Sequence, residues 1–413
     1  MNPESEKLPS WICCQLGARE HYAIPRALHQ SGQLARLITD AWLPPQSAQC
    51  RLPTPVLANL RDRFHPDLTQ ASVQAFTGAL IRFELAQRIK KTSGWECIIA
   101  RNSWYQQRVV HSLDAITSRL NSRPTLFAYS YAALELFRYA KTRGWRTILG
   151  QIDPGLVEEK LVFEEHARQP TYQSTWQPAP PDYWVNWQEE CSLADRILVN
   201  SLWSSQALQQ VGIPANKIDI IPLAYQPPEQ ARDFIRTYPP AFSSERPLRV
   251  LFLGQIILRK GIAALLEAAE LLRDQPIEFW LVGSQGVARP SQAQEQEQVK
   301  WIGSVPRSAT AKYYQQADVF LFPTLSDGFG LTQLEAQAWK LPIIASRFCG
   351  EVVKDEISGL ILEEVTGDAI ANALQLCLNN PQRLEALARA TTNTACSDLT
   401  ALQAQLQSLS HAI

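Results

Sequence analysis

The chain has 413 residues, with 39 Lys and Arg against 40 Asp and Glu and six His. That balance argues against capture of nucleic acid by bulk charge, and domains of roughly 100–200 residues predict two or three of them here. Hydrophobic residues make up 46% and charged residues 19%, which excludes wholesale disorder.

No apolar run approaches the ~18 residues that span a bilayer, and the opening MNPESEKLPSWICCQLGARE lacks the basic-then-apolar pattern of a signal peptide. The eight cysteines include no CxxC pair, so neither a disulfide framework nor zinc-ligand spacing is present. Reduced, mostly buried thiols in a cytoplasmic protein are the expectation.

Short apolar runs alternate with helical stretches, which predicts α/β architecture with parallel sheets. WICCQL (11–16) reads as a buried strand, followed by an amphipathic helix over 20–30. LARLIT (34–39), PTLFAYS (124–130), WRTILGQ (145–151) and RILVNS (196–201) are the next strands, and another lies within 218–224. Residues 55–121 read as more helical, with CIIA (97–100) the one strand candidate there. The Pro-rich, polar stretch 226–247 reads as a linker. Alternation restarts with LRVLFLG (248–254), a helix over 261–274, IEFWLVGS (277–284), VKWIGS (299–304), DVFLFP (318–323) and PIIAS (342–346). The polar segment 288–298 reads as a loop. The expected domains are therefore 1–225 and 248–392, two Rossmann-like doubly wound units facing across a cleft, with a final helix within 393–413 packing back on the first.

Two segments of the second domain carry chemistry. In LFLGQIILRKG (251–261), Arg259 and Lys260 stand just before a helix whose amino end is itself partly positive. Two cations there fit a bound phosphate, or else both point into solvent. In LSDGFGLTQLEAQA (325–338), Gly328 and Gly330 allow a tight turn and a close backbone approach. The helix that follows directs its free amides at the same space. Asp327 and Glu335 are acceptor-only carboxylates suited to neighbouring hydroxyls, as on a sugar or ribose. An acidic, Gly-rich helix entry with no ligand is the plainer alternative.

Taken with LVGSQG, VKWIGSVP, YYQQADVFLFP and CGEVVKDEISGLIL, these segments cover most of 248–378. In that order they resemble the retaining glycosyltransferases of family 4, which carry an E-x7-E signature on the GT-B fold. EECSLADRILVNS and IDIIPLAY extend the resemblance into the first domain. The resemblance implies a nucleotide-diphosphate sugar in the second domain, with Glu335 accepting from the ribose hydroxyls. Asp327 stands for the first Glu of the signature, which contacts the transferred sugar; it is one methylene, about 1.5 Å, shorter. The amides of Gly328, Phe329 and Gly330 would face sugar and phosphate, those of Leu331 and Thr332 the distal phosphate, and Lys260 the diphosphate. Gln255 replaces the family's Arg after the first strand, so either Arg259 substitutes for it or the diphosphate is held less strongly.

In the first domain the family's glycine-rich loop is reduced to Gly17, and Asp153 ends a strand on the cleft side, where turn formation before Pro154 explains it equally well. Ser130 and Tyr131 stand where the family often has a His; His21 reads either as cleft-facing or as structural. No D-x-D occurs, so the expected reaction is a metal-independent retaining transfer to an unidentified hydroxyl, with no cofactor beyond the nucleotide sugar as co-substrate. The departing phosphate oxygen would take the acceptor's proton. A GT-B-shaped epimerase or phosphorylase and a catalytically decayed sugar-nucleotide scaffold are the alternatives.

Nine basic against four acidic residues in 51–110, and the mixed apolar and basic helix 76–91, allow two readings. One is a peripheral contact with an anionic membrane surface; the other is a core-packed helix with a solvated face. Trp104, Trp176, Trp184 and Trp187 are candidates to stack on sugar rings, against core packing as the default.

Overall fold

The computed structural model describes residues 10–47, 60, 63–117, 123–289, 296–391 and 398–412. Two all-parallel sheets form, each with helices on its faces. The first has seven strands in the order β3-β2-β1-β4-β5-β6-β7: β1 (Trp11–Gln15), β2 (Leu34–Thr39), β3 (Val73–Ala75), β4 (Thr125–Tyr129), β5 (Arg146–Gly150), β6 (Arg196–Val199) and β7 (Ile218–Ile220). The second has six in the order β10-β9-β8-β11-β12-β13: β8 (Leu248–Leu253), β9 (Ile277–Val282), β10 (Val299–Gly303), β11 (Val319–Phe322), β12 (Ile343–Ser346) and β13 (Gly359–Leu362). The apolar runs form continuous buried strands because a parallel sheet is covered on both faces. Trp11–Gln15 is buried at every position.

Three details differ from the sequence reading; one is β13, a strand that the sequence reading did not mark. CIIA is not a strand but part of the long helix Gly94–Thr117, whose buried residues Tyr105, Val109, Leu113 and Ile116 recur at helical spacing. The strand of that region is VQA (73–75), a three-residue edge too short for alternation to reveal. The segment 288–298 lies partly outside the described residues.

The sheets' strand order reverses between β1 and β4 in one lobe and between β8 and β11 in the other. Loops diverge at those points and leave a crevice at the carboxyl ends of the strands. The stretch before β8 is fastened to the second lobe. Arg236 donates to the carbonyls of Tyr314, Ala317, Trp339 and Lys340, and Arg246 grips Asp318 bidentately at 2.6 and 2.7 Å. The last helix, Leu399–Ala412, buries Leu402, Leu406 and Leu409 in the first lobe's core with Tyr22, Ala27 and Leu28. Among the described residues no helix is long and apolar enough to cross a membrane.

Candidate functional site

Arg259 and Lys260 occupy a single 3-10 turn, Leu258–Lys260, that leads from β8 into the helix Ile262–Leu271. Gly261 joins them at φ 74°, and a Cβ there would lie 1.8 Å from the Pro323 carbonyl oxygen. Only glycine allows this turn to lie against the end of β11. The loop after β11 thus meets the loop after β8, as the reversal of strand order requires. Lys260 Nζ pairs with Asp327 there, and Arg259 donates from Nη1 to the Ser326 carbonyl at 3.0 Å. Burial opposes ionisation of Asp327, yet Lys260 and Arg259 outweigh it and hold the carboxyl below the usual aspartate range.

Gly328 brings the loop after β11 against the first lobe. A Cβ at this position would meet the Ile152 carbonyl oxygen at 2.3 Å, so the close approach is to first-lobe backbone. Ser204 Oγ donates to the Gly328 carbonyl at 3.3 Å, and Trp203 Nε1 to Ser326 Oγ at 3.1 Å. The two lobes therefore touch along this loop. Phe329 is buried, with its amide directed at Asp327 Oδ1. Gly330 caps the helix Leu331–Ala338 at φ 89°, with Leu331 and Thr332 in its first turn. Glu335, one turn further, accepts from Tyr314 Oη at 2.8 Å and lies 3.8 Å from Arg307 Nη2.

Arg307 also reaches His21 Nδ1 of the first lobe at 3.1 Å. A guanidinium only donates, so Nδ1 is the acceptor in this contact. Three successive non-glycine residues, Glu20, His21 and Tyr22, have φ of 50°, 50° and 60°. That left-handed run costs roughly 1–2 kcal/mol per residue and puts His21 at the junction. His21 thus faces the cleft. Gln255, at the position where the resemblance expects a cation, is exposed.

In the first lobe, a cavity of about 270 Å³ opens at the carboxyl ends of β1, β4 and β5. Tyr105, Tyr129, Tyr131 and Tyr183 line it, with Arg19 and Asp153. Tyr131, Gln151 Nε2 and the Gly155 amide all donate to Asp153 Oδ1, at 2.5, 3.1 and 3.0 Å, which leaves Oδ2 to accept from a further donor. Gly17 follows the cavity-lining Leu16, with its amide on Asp40 Oδ1 at 3.0 Å, and a Cβ there would lie 2.7 Å from Arg63 Nη1. The tryptophans do not form the cavity's walls. Trp187 is buried and donates to Gln151, Trp184 bonds Glu159, Trp104 stacks on Phe83 and Trp176 on His166. The helix Thr77–Lys90 packs through Leu80 and exposes Leu85 (46%) and Ile89 (83%) among its basic residues.

The structure thus gathers Arg259, Lys260, Asp327 and Asp153 at one junction, and Glu335 stands in the helix that follows it, bonded to Tyr314 and near Arg307. Sequence reasoning missed four contributors: Glu158, Tyr183, Arg307 and Tyr314. Glu158, in the first turn of the helix Leu156–Arg168, lies 3.4 Å from Arg259 Nη1. Burial, then Asp153 and Asp327, raise its carboxyl to about 7 against the pull of Arg259. A strand end, a Pro–Gly turn and two acids opening a helix were the signals available for Glu158. Arg307 likewise follows the end of β10.

Residues 247–380 match the family described as glycosyl transferases group 1. The amylovoran biosynthesis glycosyltransferase AmsK of Erwinia amylovora is 25% identical over 194 residues, covering 43% of this chain and 45% of that protein. A D-inositol 3-phosphate glycosyltransferase of Corynebacterium urealyticum is 33% identical over 150 residues, 32% of this chain and 35% of that protein. The chain spans about half the length, or less, of these curated relatives. Sucrose-phosphate synthase (tll1590) from Thermosynechococcus elongatus superposes with a TM-score of 0.67 at 18% identity, covering 98% of each chain. Anabaena Alr3699/HepE, solved with UDP-glucose, gives 0.61 at 14% identity over 98% of this chain and 100% of that one. The fold is the two-lobed GT-B arrangement, and its second lobe carries the match to the glycosyl transferases group 1 family.

Proposed function

We propose that this chain is a retaining glycosyltransferase, taking a sugar from a nucleotide-diphosphate sugar in the second lobe to a hydroxyl acceptor in the first. The observation that carries this reading is the position of Asp153. It lines the first-lobe cavity, and its Cα would lie 3.4 Å from a Cβ built on Gly328, next to the Lys260–Asp327 pair. An acceptor hydroxyl on Asp153 Oδ2 would therefore face the anomeric carbon of a sugar held by Asp327. Glu335 accepts from the ribose hydroxyls. The amides of the helix Leu331–Ala338, with Lys260 and Arg259, meet the charge that develops on the leaving diphosphate, so the transfer needs no divalent ion. In a same-face displacement the glycosidic C–O bond breaks as the acceptor oxygen bonds to the anomeric carbon. The acceptor's proton goes to the departing phosphate oxygen. Contact between the lobes keeps out water, whose attack would hydrolyse the donor.

The test is turnover of UDP-, GDP- and ADP-glucose against a panel of glycan, lipid and small-molecule alcohols. Nucleoside diphosphate release with an α-configured product, unchanged by EDTA, is expected. Binding with no turnover against any acceptor overturns the enzyme reading. A β-configured product overturns retention, and loss of activity with EDTA overturns metal independence.

A further inference from the structure

The junction holds three carboxylates, Asp153, Glu158 and Asp327, against two cations, Arg259 and Lys260. Lys260 is committed to Asp327 within its own lobe. Arg259 is held from across the cleft: Glu158 Oε2 lies 3.4 Å from Nη1, the nitrogen that also donates to the Ser326 carbonyl. Glu158 belongs to no segment that carries the family resemblance. Its position is set by Gly155, at φ 64° and packed on the Trp187 ring, which starts the helix Leu156–Arg168 toward the second lobe.

A mostly buried guanidinium needs an oxygen acceptor, and carboxylate and phosphate offer it equivalent geometry. The two anions cannot share Arg259 without repulsion. We propose that Glu158 is a positioning residue that holds Arg259 in a phosphate's stead, and that a nucleotide diphosphate displaces it with uptake of one proton. This rests on the nucleotide-sugar reading above. Once protonated, Glu158 is a hydroxyl donor, able to bond a phosphate oxygen. Contact between the lobes is then kept while its partner changes from Arg259 to the ligand.

The groups facing Glu158 are Arg259 from the turn Leu258–Lys260, Ser326 and Asp327 from the loop after β11, and Asp153 from its own approach loop. Burial is the largest influence and already favours the acid; a diphosphate adds negative charge in the same direction.

Calorimetric titration of the whole chain with UDP-glucose, in buffers of different ionisation enthalpy, measures the proton directly. The diphosphate of this probe does not itself titrate between pH 6 and 8. The wild type is expected to take up close to one proton at pH 8, and its affinity to fall roughly tenfold from pH 6 to 8. Glu158→Gln is expected to take up none, to bind with nearly constant affinity, and to bind more tightly than wild type at pH 8. Glu158→Ala serves the same purpose should the amide disturb packing. Equal uptake in wild type and both variants, or none in the wild type, overturns the role of Glu158 while leaving nucleotide-sugar binding intact. Failure of UDP-, GDP- and ADP-glucose alike to bind the wild type brings down the nucleotide-sugar reading and this inference together. A ligand-free readout accompanies it. A carboxyl raised by folding makes the native state bind more protons, so stability falls as pH rises from the unfolded value through about 7. The melting temperature of Glu158→Gln is expected to decline less than that of wild type between pH 6 and 8; parallel declines overturn the assignment.

Discussion

The two faces of the cleft are built by different physics. On the second lobe, recognition is concentrated in two short loops, where Lys260, Arg259, Asp327 and the amino end of one helix lie within a few residues of a strand end. On the first lobe it is spread over the ends of three strands and two long helices, and the wall is mainly four tyrosines, with one well-fixed carboxylate and the side chains of Arg19 and Arg101. The charged face suits a ligand that always brings a diphosphate. The aromatic face suits one defined by shape and hydroxyls. Long charged side chains and backbone amides can be specified by local sequence, whereas an aromatic pocket depends on which distant elements the topology brings together.

The largest way to break this contrast is Lys260→Ala. It leaves Asp327 buried without its cation, a loss of about 3–5 kcal/mol in comparable pairs, to be read from denaturant unfolding. The folded value of Asp327 is lowered, so the pair contributes stability above the unfolded aspartate value, lost as pH falls through the folded one. The gap between wild type and Lys260→Ala should therefore be widest near neutrality and close in acid. Binding should weaken for UDP but not for uridine; equal losses would remove Lys260 from the diphosphate. Glu335→Ala is expected to be smaller, about 1.5–3 kcal/mol for a charge-assisted hydrogen bond. Here uridine and UDP should weaken alike, because the ribose is common to both. A loss confined to UDP would place Glu335 at the phosphates, and no loss would remove it from the site.

Most strands of both sheets were legible, because parallel strands buried on both faces are apolar runs bounded by turns. β3 was not, since three half-buried residues at a sheet edge carry no pattern, and β13, four residues at the other sheet's edge, was not marked either. The polar cluster of the second lobe was legible for a similar reason of locality: Asp327 and Glu335 lie on one helix entry, and Arg259 and Lys260 on one turn. Glu158 was not, because its meaning comes from an arginine 101 positions away. Gly328 was read as a point of close backbone approach to a ligand, and the approach the structure shows is to the Ile152 carbonyl of the other lobe. Sequence alone marks where a Cβ is forbidden without naming what forbids it.

The smallest expected effect tests the aromatic face. Tyr183 stacks on Tyr131 at 4.9 Å between ring centroids, 18° from parallel, and both rings line the cavity. Tyr131 in turn donates to Asp153, so the stack holds the carboxylate proposed to accept the acceptor's hydroxyl. Tyr183→Ala removes one wall and the packing that orients Tyr131, a contribution of about 0.5–1.5 kcal/mol for an aromatic pair. The Michaelis constant for the acceptor should rise severalfold while donor affinity is unchanged. Tyr183→Phe keeps the stack and should recover most of the loss, because the ring face is what the pair uses. If donor affinity fell together with acceptor affinity, the two faces would not be separable, and the division of labour between the lobes would be wrong. If neither changed, the acceptor would have to enter the cleft elsewhere, and the free oxygen of Asp153 would be serving the fold of its own loop.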